Sequence, residues 1–192
     1  MIYKNITVFL KKRTIELMGF ILISTSLLLA ISFFSYSPDD PTFIYGSENV
    51  NIKNLLGIYG GLIADFLLQS FGLVSFIFLI IIMIWGVSLI IKKKITKIQF
   101  KIFFLILCII FTSLSIYITF NNSFWLIDNG NSGFVGEVLY SRLSNILPNI
   151  NNEYVISISI FLSFVFFVLA SNINWKFFLD KIISFFKNLK KK

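Results

Sequence analysis

The chain has 192 residues, of which 57% are hydrophobic, 18% aromatic and only 14% charged. A soluble domain is about 45–50% apolar even with glycine counted, and about 25% charged, so this composition argues against a soluble enzyme. It contains no histidine and a single cysteine, Cys108, which removes histidine-dependent catalytic triads and nearly all zinc sites. No Gly-Lys pair occurs, so there is no Walker A phosphate loop, and we expect no cofactor.

Four continuous apolar runs predict membrane-spanning helices, since a span needs about 20 apolar residues. The predicted spans are residues 17–36, 72–91, 102–120 and 154–171. The runs are continuous rather than alternating, which excludes a transmembrane barrel, and backbone groups in lipid must be satisfied within a helix. The predicted fold class is therefore an all-α polytopic membrane protein, with residues 1–175 forming one four-helix membrane domain. The first run is too long for a cleaved signal peptide, so we read it as an uncleaved anchor.

The distribution of charge predicts the orientation of the chain. Fifteen of the 17 basic residues lie before the first span, in the 92–101 connection or after Ser171. The opposite side carries most of the carboxylates, namely Asp39, Asp40, Glu48, Asp65, Asp128, Glu137 and Glu153. By the positive-inside rule, both termini and residues 92–101 are cytoplasmic. Residues 176–192 are predicted to form a basic amphipathic tail on the membrane surface.

The net charge of +8 does not require a nucleic-acid partner. Basic residues on one side of the spans follow from topology, and they attract anionic lipid at the cytoplasmic face. The lipid bilayer is therefore the expected partner of the basic segments, and no direct contact with nucleic acid is expected.

The segment after the first span reads Ser37-Pro38-Asp39-Asp40-Pro41. The two prolines cannot continue a helix and the aspartates favour turns, so the segment is predicted to stop the helix at the membrane surface. Two adjacent carboxylates can bind a cation, but no third acidic residue lies nearby, and we expect no metal.

Residues 52–91 contain no proline, yet one helix of that length would measure about 60 Å, twice the hydrocarbon thickness. A break is predicted at Phe71-Gly72. The segment before the second span is then a re-entrant, interfacial or projecting helix.

Small residues in this segment, Gly57, Gly61 and Ala64, share one helical face and predict close helix packing. Asp65 lies on the same face. An acid in a membrane helix is a candidate for proton or ion transfer, whereas an interfacial or hydrogen-bonded acid is a structural alternative. Both interpretations stay open at this point.

The segment between the third and fourth spans contains glycines at every third position, Gly130, Gly133 and Gly136. A glycine triplet can belong to a nucleotide-binding loop, but no strand precedes it. A tight turn followed by a short helix over residues 134–147 fits better.

These segments resemble the N-terminal four-helix membrane domain of the FtsK/SpoIIIE family of bacterial DNA translocases. The residues that carry the resemblance are Ser37, Pro38, Asp39, Asp40 and Pro41, then Asn54, Gly57, Gly60, Ala64, Asp65, Phe71 and Gly72. Gly61 replaces the alanine usual in that family, and Gly130, Gly133 and Gly136 are similar to its second-loop glycines. The resemblance covers about residues 15–175.

The resemblance implies a protein of the bacterial inner membrane that is found at the division septum, forms homo-oligomers and contacts other division proteins. In that family a separate cytoplasmic motor moves DNA. This chain has no counterpart of the motor, so no catalytic residue is carried over, and a separately encoded motor is a further possible partner. The expected function is a membrane anchor without motor activity.

Two other functions are compatible with the residues. A small transporter or channel subunit would use Asp65 and the glycine-interrupted second region. A membrane enzyme would need Asp39, Asp40 and Asp65 to act together, and nothing in their spacing supports that.

Overall fold

The computed structural model describes residues 2–42, 51–123, 125–147, 149–175 and 184. The helices in the described part of the chain are α1 Ile2–Phe34, α2 Gly57–Phe71, α3 Val74–Lys92, α4 Ile98–Phe120, α5 Gly133–Ser144 and α6 Glu153–Ala170. Four helical segments are long and apolar enough to cross a membrane, namely Ile6–Phe34, Val74–Lys92, Ile98–Phe120 and Glu153–Ala170. The predicted all-α polytopic class is confirmed.

Helix α1 is longer than a membrane crossing requires. Its 33 residues extend about 50 Å, and it begins well before the predicted span. The preceding segment contains neither proline nor glycine, so nothing in it stops a helix.

The predicted break before the second span lies where the sequence indicated. Helix α2 ends at Phe71, and Gly72 takes a positive φ of 60° before α3 starts at Val74. The short helix in the later connection is α5, which ends at Ser144 rather than at residue 147. Pro148 and the predicted tail 176–192, apart from Ser184, lie outside the described residues.

The four long helices pack as two pairs. Helix α1 lies mainly on α3 and helix α4 mainly on α6. In the first pair the backbones meet at two glycines, because a Cβ on Gly19 would lie 2.8 Å from the Gly86 carbonyl oxygen and one on Gly86 2.9 Å from that of Gly19. In the second pair the Thr112 and Ser163 hydroxyl oxygens lie 2.5 Å apart. Close approach through small residues replaces the hydrophobic effect as the packing force between helices in lipid.

The two ends of the bundle differ, and we name them by their content. The loop end consists of residues 35–42, 51–72 and 121–144. The basic end consists of residues 92–101 and 170–175.

Candidate functional site

The carboxylate of Asp40 holds the chain that leads into α2. It is 5% exposed, and it accepts hydrogen bonds from the backbone N–H groups of Lys53 at 2.7 Å and Asn54 at 2.9 Å. The neighbouring Asp39 is exposed and pairs with the Lys53 ammonium at 2.5 Å. The two carboxylates therefore bind different groups, Asp40 the backbone N–H groups and Asp39 the side chain of Lys53. Within the described ranges there is no group of three or more metal-binding side chains.

The buried side chain of Asn54 ties this segment to α1. Its amide nitrogen donates to the Ser32 carbonyl at 2.9 Å, and its oxygen accepts from the Leu56 N–H at 3.0 Å. The Ser32 hydroxyl in turn donates to the carbonyl of Gly60 at 2.5 Å. A Cβ at Gly60 would overlap the Asn54 side chain, so only glycine fits this contact.

The buried face of α2 is made by Gly60, Gly61, Ala64 and Leu68. Two of the three predicted packing residues, Gly61 and Ala64, lie on it. Gly57 does not need a close neighbour, because nothing lies within 4 Å of a Cβ built there; it takes a φ of 68° at the start of the helix instead. A Cβ at Gly61 would meet Asp40 at an ordinary 3.6 Å, so the alanine usual at this position would fit.

The residues of the Ser37–Pro41 segment form the turn that follows α1. The Asp40 N–H donates to the Ser37 carbonyl at 3.1 Å, and the Asp39 N–H donates to the Ser37 hydroxyl at 3.3 Å. Pro38 and Pro41 lie in this non-helical stretch. The turn places the Asp40 carboxylate against the segment that precedes α2.

Asp65 belongs to a chain of polar side chains that crosses the loop end. The Tyr36 hydroxyl donates to the Asp65 carboxylate at 3.0 Å and accepts from Gln69 at 3.2 Å. The amide of Asn129 then donates to Gln69 at 3.2 Å. Burial raises the pKa of Asp65 above its usual range, the hydrogen bond from Tyr36 opposes this, and the charge of Asp128 adds to the increase.

Of the two interpretations of Asp65, this position agrees with the structural one, in which the acid is hydrogen-bonded to another part of the chain. The residue lies in α2, outside the four helices that can cross a membrane. The Trp125 ring packs edge-on against Tyr36 at 5.5 Å between centroids, so the polar chain is covered on one side by an aromatic pair.

The junction of α2 and α3 meets the start of α5 backbone to backbone. The Leu73 N–H donates to the Asn131 carbonyl at 2.8 Å. A Cβ on Gly72 would overlap that carbonyl and lie 2.6 Å from the Gly133 nitrogen, and one on Gly133 would lie 2.6 Å from the Phe71 carbonyl carbon. Both glycines have positive φ, 60° and 65°. Side chains are thus excluded here by sterics and by backbone conformation together.

The remaining glycines of the second segment shape the turn and position α5. Gly130 has a φ of 69°, and its N–H donates to the Leu126 carbonyl at 2.9 Å. A Cβ on Gly136 would lie 3.0 Å from the Ser113 carbonyl oxygen of α4. The triplet therefore forms a turn and a close helix contact.

Between these glycines, the amide of Asn131 donates to the carbonyls of Phe120 at 3.0 Å and Asn122 at 2.9 Å. These carbonyls lie at the end of α4, where no intrahelical donor remains. Sequence reasoning did not single out Asn131, although its place within the glycine triplet was a usable signal.

At the basic end, lysine ammonium groups donate to the carbonyls that follow α6. The Lys101 ammonium donates to the Ser171 carbonyl at 2.8 Å, and Lys92 donates to the Asn172 carbonyl at 2.8 Å. The indole of Trp85 donates to the Ala170 carbonyl at 3.0 Å. Counting lysines predicted a side of the membrane but not these contacts.

A contact near the basic end joins α1 to Lys93, the residue that follows α3. Glu16 pairs with Lys93 at 2.5 Å and with Arg13 at 2.6 Å.

Four helices able to span a bilayer, joined at one end by two short helices and glycine turns, define a polytopic helical membrane domain. Residues 11–183 match the family described as the 4TM region of DNA translocase FtsK/SpoIIIE. The chain belongs to this family, as its motif residues indicated.

Individual relatives support this family assignment. A DNA translocase FtsK of Rickettsia bellii is 28% identical over 166 residues, which cover 81% of this chain and 21% of the relative. Those of Azospirillum brasilense and Agrobacterium fabrum are 33% identical over 94 residues and 27% identical over 134 residues, covering 48% and 70% of this chain. The last two matches each cover 15% of the relative, so the chain spans about a fifth or less of the length of these relatives. No solved structure matches the chain.

Proposed function

We propose that this chain is the membrane anchor and targeting domain of an FtsK-like cell-division and chromosome-segregation translocase, and that it has no motor activity of its own. The observation that carries the proposal is the assembly of the loop end. The contacts Asp40 to Asn54 and Gly72 to Gly133 join residues of the family motifs that lie far apart in the chain. When motif residues from separate parts of the chain meet in one packed region, we expect that region to support a surface that the domain presents to partners.

The loop end faces the periplasm in this proposal, and the basic end faces the cytoplasm of a bacterial inner membrane. The charges support this orientation, because the opposite side has only Lys53 and Arg142 as basic residues. The orientation places α2 and α5 outside, and α2 is the helix that meets other division proteins in this proposal.

The outer surface of α2 supports partner recruitment. Three exposed apolar side chains of α2 recur about one turn apart: Tyr59 is 78% exposed, Ile63 is 45% exposed and Phe66 is 58% exposed. Leu55, which lies just before the helix, is also 78% exposed. The opposite face is clamped to α1, so this apolar stripe is held in a fixed position. Oligomerisation would use the four long helices. Only 11–33% of the residues in their apolar membrane-crossing stretches are buried within the chain.

The proposal is tested by the position of a fluorescent protein fused to the C-terminus in dividing cells. A band at the division site is expected. The double variant Tyr59→Ser with Phe66→Ser should spread the signal around the envelope without lowering membrane insertion. Phe134→Ser is the matched control, because Phe134 is 57% exposed on the other short helix and should leave the band in place. A uniform signal from the intact, inserted wild-type fusion would contradict septal targeting.

A further inference from the structure

We propose that the basic end carries a specific site for one anionic phospholipid, formed by a groove between α3 and residues 172–174. The site rests on the membrane placement in the proposed function, and it does not depend on septal targeting. Nothing in the family match assigns a lipid to these residues.

The groove has the shape and lining of an acyl-chain site. It has a volume of about 390 Å³, and its wall on α3 is formed by Met83, Ile84, Val87 and Ile91. Ile91 is 71% exposed and Val87 is 37% exposed, so the wall is open to the surroundings of the helix. Ile173 closes the other side. A hydrocarbon chain packed along this wall would cover apolar surface without meeting a charge.

A positive charge is held at the mouth of the groove. Lys92 lines the groove at the end of α3, and its ammonium donates to the Asn172 carbonyl at 2.8 Å. An ammonium has three N–H donors, so the bond to Asn172 leaves two of them for an anion. The contact fixes the charge beside the groove instead of leaving it at the end of a mobile side chain.

The charge balance of the basic end favours an anion. The carboxylate of Glu16 is already bound by Lys93 and Arg13, and no carboxylate of the described residues pairs with Lys92. A phospholipid supplies both the missing anion and the apolar chain, and a lipid phosphate at this height lies at the membrane surface where α3 ends.

The segment of this chain that follows the groove is a less suitable occupant. Residues 176–192 contain six lysines and one aspartate, so they repel the ammonium of Lys92. The charge therefore selects an anionic lipid over the basic segment of the same chain.

The test is the retention of lipid by the purified full chain. The protein is mixed with equal amounts of phosphatidylglycerol and phosphatidylcholine of the same acyl chains, and bound lipid is counted by native mass spectrometry. One retained phosphatidylglycerol is expected. Lys92→Gln should lower its retention about five-fold, since one lysine near the membrane surface contributes about that much. Lys97→Gln is the matched control, because Lys97 is exposed in the same connection but does not line the groove.

Two further variants separate the charge from the groove. Lys92→Arg keeps the charge and should retain the lipid, while Val87→Phe fills the groove and should lower the retention of both lipids. Equal retention by wild type and Lys92→Gln would overturn the proposal. So would an equal loss in Lys97→Gln, which would show attraction to the whole basic face. No retained lipid in the wild type would also overturn it, and would point to residues 176–192 as the occupant.

Discussion

The two ends of the bundle use different residues to bind the carbonyl groups that lack a donor at the C-termini of helices. At the loop end, the neutral amide of Asn131 binds the carbonyls that follow α4. At the basic end, the ammonium groups of Lys92 and Lys101 bind those that follow α6. A cation complements the negative end of a helix dipole, but its position is restricted by the positive-inside rule. The difference shows that the carbonyls at a helix end can be satisfied by a neutral amide or by a cation.

The ends also differ in how tightly they exclude substitution. The loop end is assembled from buried polar groups and from glycines in backbone contact, whereas the basic end uses the long side chains of Lys92 and Lys101. Substitutions should therefore cost more at the loop end and respond to salt at the basic end.

The largest effect is expected for Gly72→Ala. A Cβ there would overlap the Asn131 carbonyl and sit on a backbone of positive φ, and the two penalties together lower the free energy of unfolding by about 3 kcal/mol. Gly57→Ala is the control, since Gly57 also has a positive φ, 68°, but no atom lies within 4 Å of a Cβ built there. It should cost about 1 kcal/mol. Denaturant unfolding in detergent micelles measures both, and equal losses would mean that the contact between Gly72 and Gly133 contributes nothing.

The next effect is expected for Asp40→Ala, which leaves the N–H groups of Lys53 and Asn54 without their acceptor. We expect a loss of about 2 kcal/mol in the free energy of unfolding. Asp39→Ala removes only an exposed ion pair and should leave stability unchanged. The same unfolding assay compares them. If the two variants lose the same amount, the role of Asp40 as the acceptor for these two N–H groups is wrong.

The contrast between the two caps is tested directly by Asn131→Ala and Lys101→Met. Asn131→Ala leaves the carbonyls of Phe120 and Asn122 without this donor. It should lower the free energy of unfolding by about 1.5 kcal/mol at any ionic strength. Lys101→Met should cost less, and its effect should shrink as salt rises, because salt screens a cation at a helix end. Thermal unfolding of both variants over a series of salt concentrations checks this. A salt-dependent loss in Asn131→Ala would break the distinction.

The smallest effect is expected at Asp65 and depends on pH. Its pKa in the folded protein is raised above the ordinary 3.8, so the folded state binds the proton more tightly than the unfolded state. The wild type therefore loses stability as pH rises from 3.8 through the raised pKa. Asp65→Asn lacks this loss, so its melting temperature should gain on that of the wild type over the same range.

A second variant sharpens the result for Asp65. Tyr36→Phe removes the hydrogen bond that favours the ionised carboxylate, so the loss of stability should continue to higher pH. A melting-temperature difference between Asp65→Asn and the wild type that does not vary with pH would contradict the assignment.

Much of the architecture could be predicted because it depends on local chemistry. Apolar runs predict spans by length alone, and Gly72 marks a break because a helix of 40 residues would be twice too long for the bilayer. The motif residues Asp40, Asn54 and Asp65 were also identifiable, but as members of a pattern. Their partners were not, because each partner lies on another segment of the chain.

Some of the contacts had no separate signal in the sequence. Gly19 and Gly86 look like ordinary small residues in apolar runs, and only the crossing of α1 and α3 makes them necessary. Gly57, by contrast, matched a packing pattern and proved to be needed for its backbone conformation. A spacing rule finds a shared face but cannot tell what lies opposite to it.

By itself the sequence determined that this chain forms four apolar helices, that the helical segment before the second span breaks at Gly72, and which family the chain belongs to. These features follow from hydropathy, from bilayer thickness and from a short pattern of residues. The tertiary structure decided that Gly72 meets Gly133, that Tyr36 meets Asp65 and that Lys92 stands beside an apolar groove. Such contacts depend on how the helices cross and how the connections fold back, and that geometry arises only when separate segments pack together.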